Sequence, residues 1–568
     1  MKMNTYMKKM FATPMCLLAV CALQAQELSD LKNVKPFDIS GSIGLNSSFY
    51  SVSGIPERQA PFAYGINANA TLTVYGISMP FSFTWYDNDK KGNFSQPFNQ
   101  FGISPTYKWL TLHLGYRNLS FSEFTLNGYT FLGAGLEARP GKFRLGAVYG
   151  KFNQNSTYDL AMADSMPKMT RTGWAAKVGY GTESRFIDFS VVRIGDNTDA
   201  FDSLAAKPLK PGMPMPEQNI AFGLTSRFAF TPQLMFTFDG SYSFYTKNRM
   251  ELPPDSISDG WLRLVKGLIT VNGTTSYFRA FKTSLSYRFT PTIVTGIEYR
   301  RIDPGFHSMG SYFFNNDVQH ITFNQTVGLM DGKLNLNGSL GIQNDNLDGS
   351  KANTAHRVIG SLSGNYTVNE NWAVDASFNN YSTNQRAYKT VGSDSLQIYQ
   401  VNRTFMLMPR FMKSTATASH MVMLNLNYTT LDDRNKKTSD MTDTDTYMAM
   451  LMYNFGLPAL RLNISAGANY TMMTNKNFEN VMLGGNLNVS KTLLDDKLSL
   501  NWSNNVMSNK INDDSGLIVN SALNAAYRFH PQHAVSMNFN FINNRFANEA
   551  AVPSYHEIRG DISYVFTF

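Results

Sequence analysis

The 568-residue chain has very little cysteine and no long hydrophobic run after its first 25 residues. Its two cysteines, Cys16 and Cys21, both lie near the N-terminus. The remainder contains no stretch of about 18 apolar residues, which is the length that a membrane-spanning helix needs. A secreted chain without disulfides has to close its structure in another way.

Concentrated charge is also missing. Charged residues make up 16% of the chain, and the formal net charge of +8 comes from basic residues that are scattered along it. Because no basic patch or stripe is present, the sequence predicts no nucleic-acid partner. The segment 344–349 has the oxygen-rich start of a calcium loop, but Ala355 stands where the bidentate glutamate is needed. We therefore predict no metal site and no cofactor.

The N-terminus has the features of a secretory signal peptide. Lysines precede an apolar stretch from 10 to 23, and small residues around Ala25 form a cleavage site before Gln26. A lipoprotein signal would use Cys21, although Val20 stands where such signals usually have a small residue. We assign 1–25 to the signal and 26–36 to a short lead.

From Phe37 onward, apolar and polar residues alternate in segment after segment. Alternation over many short segments predicts β-strands with one apolar and one polar face. The polar faces contain mostly Asn, Ser, Thr and Gly rather than charged residues, which favours an enclosed aqueous lumen over the charged surface of a soluble β-sandwich. The sequence thus predicts an all-β fold, one large transmembrane antiparallel β-barrel over 37–568. One such apolar face consists of Phe62, Tyr64, Ile66, Ala68, Ala70, Leu72 and Val74.

The last residues of the chain carry the most specific pattern. Tyr564, Phe566 and Phe568 stand at alternate positions, with an aromatic residue at the very end. This ending resembles the C-terminal signal of bacterial outer-membrane β-barrel proteins, which the barrel assembly machinery reads. The resemblance implies a porin-like protein in the outer membrane of a Gram-negative cell, in contact with its lipid and lipopolysaccharide. It leaves open a further partner among outer-membrane or surface proteins.

A second block is similar to a segment of uncharacterised outer-membrane barrel proteins. It runs through 96–105, 114–117 and 140–143 and includes the sequence Gln-Pro-Phe-Asn-Gln-Phe-Gly-Ile-Ser-Pro. This resemblance covers about a tenth of the chain and implies no particular activity.

Connections between the predicted strands alternate between short and long. Short turns such as Asp331-Gly332 favour tight hairpins in the periplasm, and long polar segments such as 246–274 are expected to face the medium. From Arg171 we count about 19 strands. The segment 117–128 is either a strand or an insertion into the lumen, because Glu123 breaks its alternation. We predict an even total of about 24 to 26 strands.

Alternation starts so early that the sequence predicts no plug domain, unlike TonB-dependent transporters.

Four charged residues fall on the predicted lumen face of neighbouring strands: Asp239, Lys282, Glu298 and Arg300. They form either a structural ladder or a selectivity filter. The sequence favours a passive or partner-gated pore for small solutes. The alternatives are a barrel with a blocked lumen that binds another protein and, less favoured, an outer-membrane enzyme.

Overall fold

The structure is a computed structural model that describes most of the chain from residue 36 to the C-terminus. The predicted signal peptide at 1–25 lies outside the described residues, as does the lead up to residue 35 and part of the block at 96–105. The described ranges are 36–87, 100–152, 170–198, 215–312, 315–350, 356–385, 398–435, 437–548 and 552–568.

One antiparallel sheet closes on itself to form a barrel. The first strand pairs with the second and also with the last, which joins the two edges of the sheet. The strands are β1 Phe37–Ser53, β2 Phe62–Val74, β3 Ile77–Asp87, β4 Gln100–Ile103, β5 Thr106–Tyr107, β6 Leu110–Ser120, β7 Asn127–Ala138, β8 Phe143–Phe152, β9 Arg171–Gly181, β10 Arg185–Asp196, β11 Gln218–Ala229, β12 Leu234–Thr246, β13 Thr275–Thr290, β14 Ile293–Ile302, β15 Val318–Leu329, β16 Leu334–Asn344, β17 His356–Thr367, β18 Trp372–Gln385, β19 Ile398–Ser414, β20 Ser419–Asp433, β21 Thr444–Leu457, β22 Leu462–Thr474, β23 Glu479–Leu493, β24 Leu498–Ile511, β25 Asp514–His530, β26 His533–Phe546 and β27 Tyr555–Thr567.

Strands β4 and β5 both pair with β3 and with β6, so they occupy a single position in the wall. The 27 segments therefore form a barrel of 26 strands. Nineteen of them, β9 to β27, follow from Arg171 onward. The predicted even number and the predicted range are both confirmed.

The segment 117–128 is partly strand and partly insertion. Residues up to Ser120 complete β6, residues 121–126 leave the wall, and Asn127 begins β7. Because Ser120 pairs with Asn127 in the ladder, the six residues between them are an extra loop in the hairpin. This loop turns into the lumen, so each of the two predictions for the segment is correct for one part of it.

Helical structure is scarce in the described ranges. It comprises α1 Gly260–Val265, α2 Ser439–Thr442 and a 3-10 turn at Pro458–Leu460. None of the described helices has both the length and the apolar character needed to cross a membrane. The tight β2–β3 turn places Tyr75 and Gly76 at φ 47° and 81°, the left-handed conformation that a two-residue hairpin of this twist requires.

Outer and inner faces of the wall differ as the alternation predicts. Large apolar side chains such as Ile558 and Ile562 on β27 are exposed on the outer face. Burial is uneven around the barrel. Within the described ranges, the buried apolar clusters lie between Leu119 and Val318, and strands β16 to β27 contribute no member to them.

Candidate functional site: the lumen inset and its charge row

A row of polar side chains crosses the lumen face of five neighbouring strands. The Cα register pairs Thr225 with Asp239, Asp239 with Lys282, Lys282 with Arg300, and Arg300 with His320. Residues paired across antiparallel strands have Cβ atoms about 5 Å apart, close enough for their side chains to interact. Three of the four predicted lumen charges therefore belong to one continuous row. We call these five residues, from Thr225 to His320, the charge row.

Glu298 lies in the adjacent row. It pairs with Ser284 and Thr322, and its Oε1 is 3.8 Å from Nε2 of His320. Its carboxylate thus reaches the row through His320.

The loop between β6 and β7 docks on this row through Glu123. Its Oε2 is 2.8 Å from Nζ of Lys282, and its Oε1 is 2.5 Å from Nη2 of Arg300. The Glu123 side chain is 27% exposed, so the pair is partly shielded from solvent. Burial raises the pKa of the Glu123 carboxyl, but Lys282 and Arg300 together outweigh burial and hold it below its usual value. The carboxylate is therefore ionised at neutral pH.

Asp239 holds the same loop at a second point. It accepts a hydrogen bond of 2.5 Å from the Ser122 hydroxyl and one of 3.0 Å from the backbone N–H of Glu123. Asp239 therefore accepts from two donors of the loop, while Lys282 and Arg300 bind the carboxylate of Glu123 in the same loop.

An apolar cluster completes the docking of the loop. Phe124 is fully buried among Ala280, Ile302, Phe306 and Val318. Its ring lies edge-on to that of Phe306, with centroids 6.1 Å apart. Burying a phenylalanine side chain contributes about 2 to 3 kcal/mol, which is comparable to the whole ion-pair network.

Phe306 belongs to a second connection, between β14 and β15, that also folds inward. Backbone Gly310 accepts from Asn127 N–H at 3.0 Å, and the Ser308 hydroxyl donates to Thr125 O at 2.7 Å. Buried Asn219 on β11 accepts from Met309 N–H at 3.1 Å. Residues 121–126 and 303–312 form one packed body against the wall, which we call the inset.

Further charged pairs on β8, β9 and β10 support the wall beside the inset. Arg171 Nε is 2.9 Å from Asp196 Oδ1, and Arg144 Nε is 2.8 Å from Asp188 Oδ1. We call the lumen face of β6 to β15 the charged wall. Sequence reasoning did not select these pairs, because each joins strands whose pairing is known only once the register is fixed.

The lumen face of β20 to β27 has a different composition, and we call it the asparagine wall. In one row, Asn486 pairs with Asn505 and Asn505 with Asn520. Within the described residues, Asn425, Asn469, Asn505 and Asn520 each have a buried amide oxygen without a protein partner. An amide oxygen has two lone pairs, and water is the partner that a polar lumen offers it.

The aromatic ending lies at the seam of the barrel. Phe568 N–H donates to Gly41 O, and Gly41 N–H donates to Phe568 O, both at 3.0 Å. Tyr564 and Phe566 contact His533, by a hydrogen bond of 2.7 Å and a stacked ring pair at 4.9 Å. The interpretation of Tyr564, Phe566 and Phe568 as an assembly signal stays a prediction.

The lumen is wide compared with the reach of these groups. Twenty-six strands spaced about 4.8 Å apart and tilted by about 40° give a circular barrel about 50 Å across between backbones. Electrostatic interactions in physiological salt decay over about 8 Å. A charge row on one wall therefore acts on what touches that wall and does not control the whole lumen.

A closed antiparallel sheet with an apolar outer face is one of the two structures that satisfy every backbone group within lipid. Large closed antiparallel barrels with an apolar outer face and a polar interior are outer-membrane structures, and the chain is a large β-barrel of the bacterial outer membrane. No protein-family model matches the chain, and no curated protein does.

Solved structures that align with the chain do so at low sequence identity and at TM-scores below 0.5. The FrpB iron transporter of Neisseria meningitidis is 10% identical, with a TM-score of 0.39 over 95% of this chain and 84% of that one. The P pilus usher PapC translocation pore is 11% identical, with a TM-score of 0.34 over 93% and 99%. The outer-membrane protein OpdK of Pseudomonas aeruginosa is 9% identical, with a TM-score of 0.31 over 94% and 99%.

Proposed function

We propose that the chain forms a water-filled pore in the outer membrane and that the inset narrows it from the charged wall. The observation that supports this best is the double ion pair of Glu123 with Lys282 and Arg300 on the lumen face. Lumen charges that are already paired with a loop have little charge left to select ions. We therefore assign them the structural role, which is to hold a constriction in place.

In this proposal the loops between strands take the place of a separate plug domain. Both inset segments are connections within the barrel, between β6 and β7 and between β14 and β15. The asparagine wall faces them with neutral groups that hydrogen-bond to water and to small polar solutes. Passage is then governed by size and polarity, and only weakly by charge.

Conductance of the purified protein in planar lipid bilayers tests the proposal. The informative variant replaces residues 121–126 with Asn-Gly, which gives β6 and β7 the two-residue turn that a tight hairpin needs. We expect discrete channels from the parent protein and a clearly larger conductance from the variant. The matched control is Asp440→Ala, which breaks an exposed pair with Lys476 at 2.7 Å on the other side of the barrel. It should leave the conductance unchanged.

The width of the barrel favours one second function. A barrel about 50 Å across between backbones leaves a lumen large enough to admit a folded segment of another protein. In that case the barrel is a partner-binding structure whose lumen is filled in the cell. Parent and loop-replaced proteins that both fail to conduct, although they are folded by heat-modifiable migration, would support this second function and contradict the pore.

A further inference from the structure

The long connection between β12 and β13 packs against the outer face of the barrel. It buries Val265, Ile269 and Val271 against Ile220 of β11 and Phe244 of β12. Ile220 and Phe244 pair in the ladder and share the outer face with exposed Leu224. We expect the segment 246–274 to face the medium, and this stays a prediction. Its residues 257–271 also cover part of the outer face, because their apolar side chains pack on the wall. We call residues 257–271 the flap.

Hydrogen bonds fix the flap to the strand ends below it. Asp259 caps α1 by accepting from Trp261 N–H at 2.7 Å, and its second oxygen accepts from Tyr277 OH at 3.2 Å. Arg193 on the outer face of β10 donates to Leu268 O, and Thr246 donates to Thr270 O at 2.9 Å. The flap is therefore an ordered part of the outer surface.

The height of the flap follows from strand geometry. Ile220 lies ten residues from Phe230, which stands in the short turn after β11, and short turns are expected to lie in the periplasm. Ten residues at about 3.3 Å each, tilted by about 40°, rise roughly 25 Å, the height of the apolar band of an outer-membrane barrel. The flap therefore lies at the upper edge of that band, where acyl chains meet head groups.

Two kinds of exposed side chain meet on the flap. Trp261 is 53% exposed and stacks on Tyr242 with ring centroids 5.4 Å apart, and Leu264, one helical turn further on, is 71% exposed. Arg263 and Lys266 are also exposed and three residues apart, on another side of the helix. An apolar side next to a basic side is the pattern of a helix that lies in a membrane interface.

The cations of the flap and the neighbouring Arg193 of β10 have no acidic partner in the described part of the chain. Arg263 donates to the backbone oxygens of Ile257 and Ser258 at 2.7 and 3.0 Å, and Arg193 donates to a backbone oxygen as well. Glu251, Asp255 and Asp259 are the acidic residues of the same connection, and Asp259 is engaged with α1 and Tyr277. The positive charges of Arg193, Arg263 and Lys266, at the upper edge of the apolar band, therefore remain available to a ligand.

We propose that the flap is a binding site for a phosphorylated acyl lipid of the outer leaflet. Trp261 and Leu264 enter the acyl layer, and Arg193, Arg263 and Lys266 bind the phosphate groups. Charge complementarity and the position at the upper edge of the band select this occupant over a protein. The proposal concerns the outer face, so it holds or fails independently of whether the lumen conducts.

Bound lipid provides the first test. The barrel is extracted in mild detergent, and phosphorylated glycolipid of the lipid A type is counted on it by native mass spectrometry. We expect Arg263→Gln with Lys266→Gln to lower the occupancy on the order of tenfold, because a Lys or Arg near the surface of an anionic membrane strengthens the binding of anionic lipid. The matched control is Lys333→Gln with Lys497→Gln, which changes two exposed cations in short turns that are expected to lie at the other, periplasmic end of the barrel. Equal occupancy in both double variants would overturn the proposal.

Depth provides the second test. In vesicles of phosphatidylcholine with brominated acyl chains, bromine quenches tryptophan that reaches the acyl layer. The quenched fraction should fall in Trp261→Phe relative to the parent. An unchanged fraction would place Trp261 outside the lipid and would identify the flap as a docking surface for protein instead. Heat-modifiable migration shows for every variant that the barrel is folded.

Discussion

The charged wall and the asparagine wall are built on the same ladder but solve the problem of a polar lumen differently. On the charged wall, ion pairs such as Arg171–Asp196 and Glu123–Arg300 satisfy one another, and an apolar inset covers them. On the asparagine wall, neutral amides such as Asn505 and Asn520 remain with unpaired oxygens. Protein groups satisfy the polar side chains of the charged wall, whereas the amide oxygens of the asparagine wall are left to the water of a polar lumen. We therefore expect the charged wall to respond to mutation like a protein core and the asparagine wall like a surface.

The largest expected difference between the walls comes from truncating an apolar side chain. Phe124→Ala removes a fully buried ring from the inset, and such truncations cost about 3 to 5 kcal/mol. Amide hydrogen exchange of residues 121–126 should speed up by more than a hundredfold. Ile542→Ala on the asparagine wall, where the side chain is only half-buried, is the matched control and should change exchange nearby by less than tenfold. Equal effects at the two sites would show that the inset is not a packed core.

The docking of Glu123 should show an energetic coupling to Arg300. In a double-mutant cycle with Glu123→Ala and Arg300→Ala, we expect a coupling of about 1 to 2 kcal/mol for a partly shielded charged hydrogen bond. The exposed pair Asp440 and Lys476 gives the comparison, with an expected coupling of about 0 to 0.5 kcal/mol. Exchange rates of the inset loop and of the loop that carries α2 are the measurements. A coupling at Glu123 no larger than that of the exposed pair would contradict its role as an anchor.

Acid should release the same anchor at low pH only. In the docked state the pKa of Glu123 is below its usual value of about 4.5. The ion pairs of Glu123 therefore stabilise the docked loop fully above about pH 4.5, and this stabilisation is lost as the pH falls through the lowered pKa. Conductance in planar bilayers should therefore be constant from about pH 8 to pH 5 and rise on further acidification. Glu123→Gln should remove this rise. A parent conductance that already changes between pH 8 and pH 5 would mean that another group controls the inset.

The sequence predicts the alternation that both walls share, but not the contacts that distinguish the charged wall. Alternation, turn chemistry and the loss of alternation at Glu123 were enough for the barrel class, the even strand number and a lumen position for Asp239, Lys282 and Arg300. Those signals are local, with a period of two residues. Glu123 and Arg300 are 177 residues apart, and no local pattern indicates that they meet.

The flap was missed for a related reason. Its residues 261–269 have a helical pattern of apolar side chains, which indicates that one side is covered but not by what. The length and polarity of 246–274 predict a segment on the side of the medium, but they do not indicate that 257–271 packs on Ile220 and Phe244. Such contacts become visible only when the register of β10 to β13 fixes which faces meet.

The smallest expected effect concerns charge on the asparagine wall. Asn505→Asp adds a carboxylate to the lumen face opposite the inset without removing a packed group. Its field reaches about 8 Å in a barrel about 50 Å across between backbones, so most of the current passes beyond it. The reversal potential in a salt gradient should therefore shift only slightly toward cation selectivity. A shift as large as that of a narrow charged constriction would show that the conducting path runs along this wall.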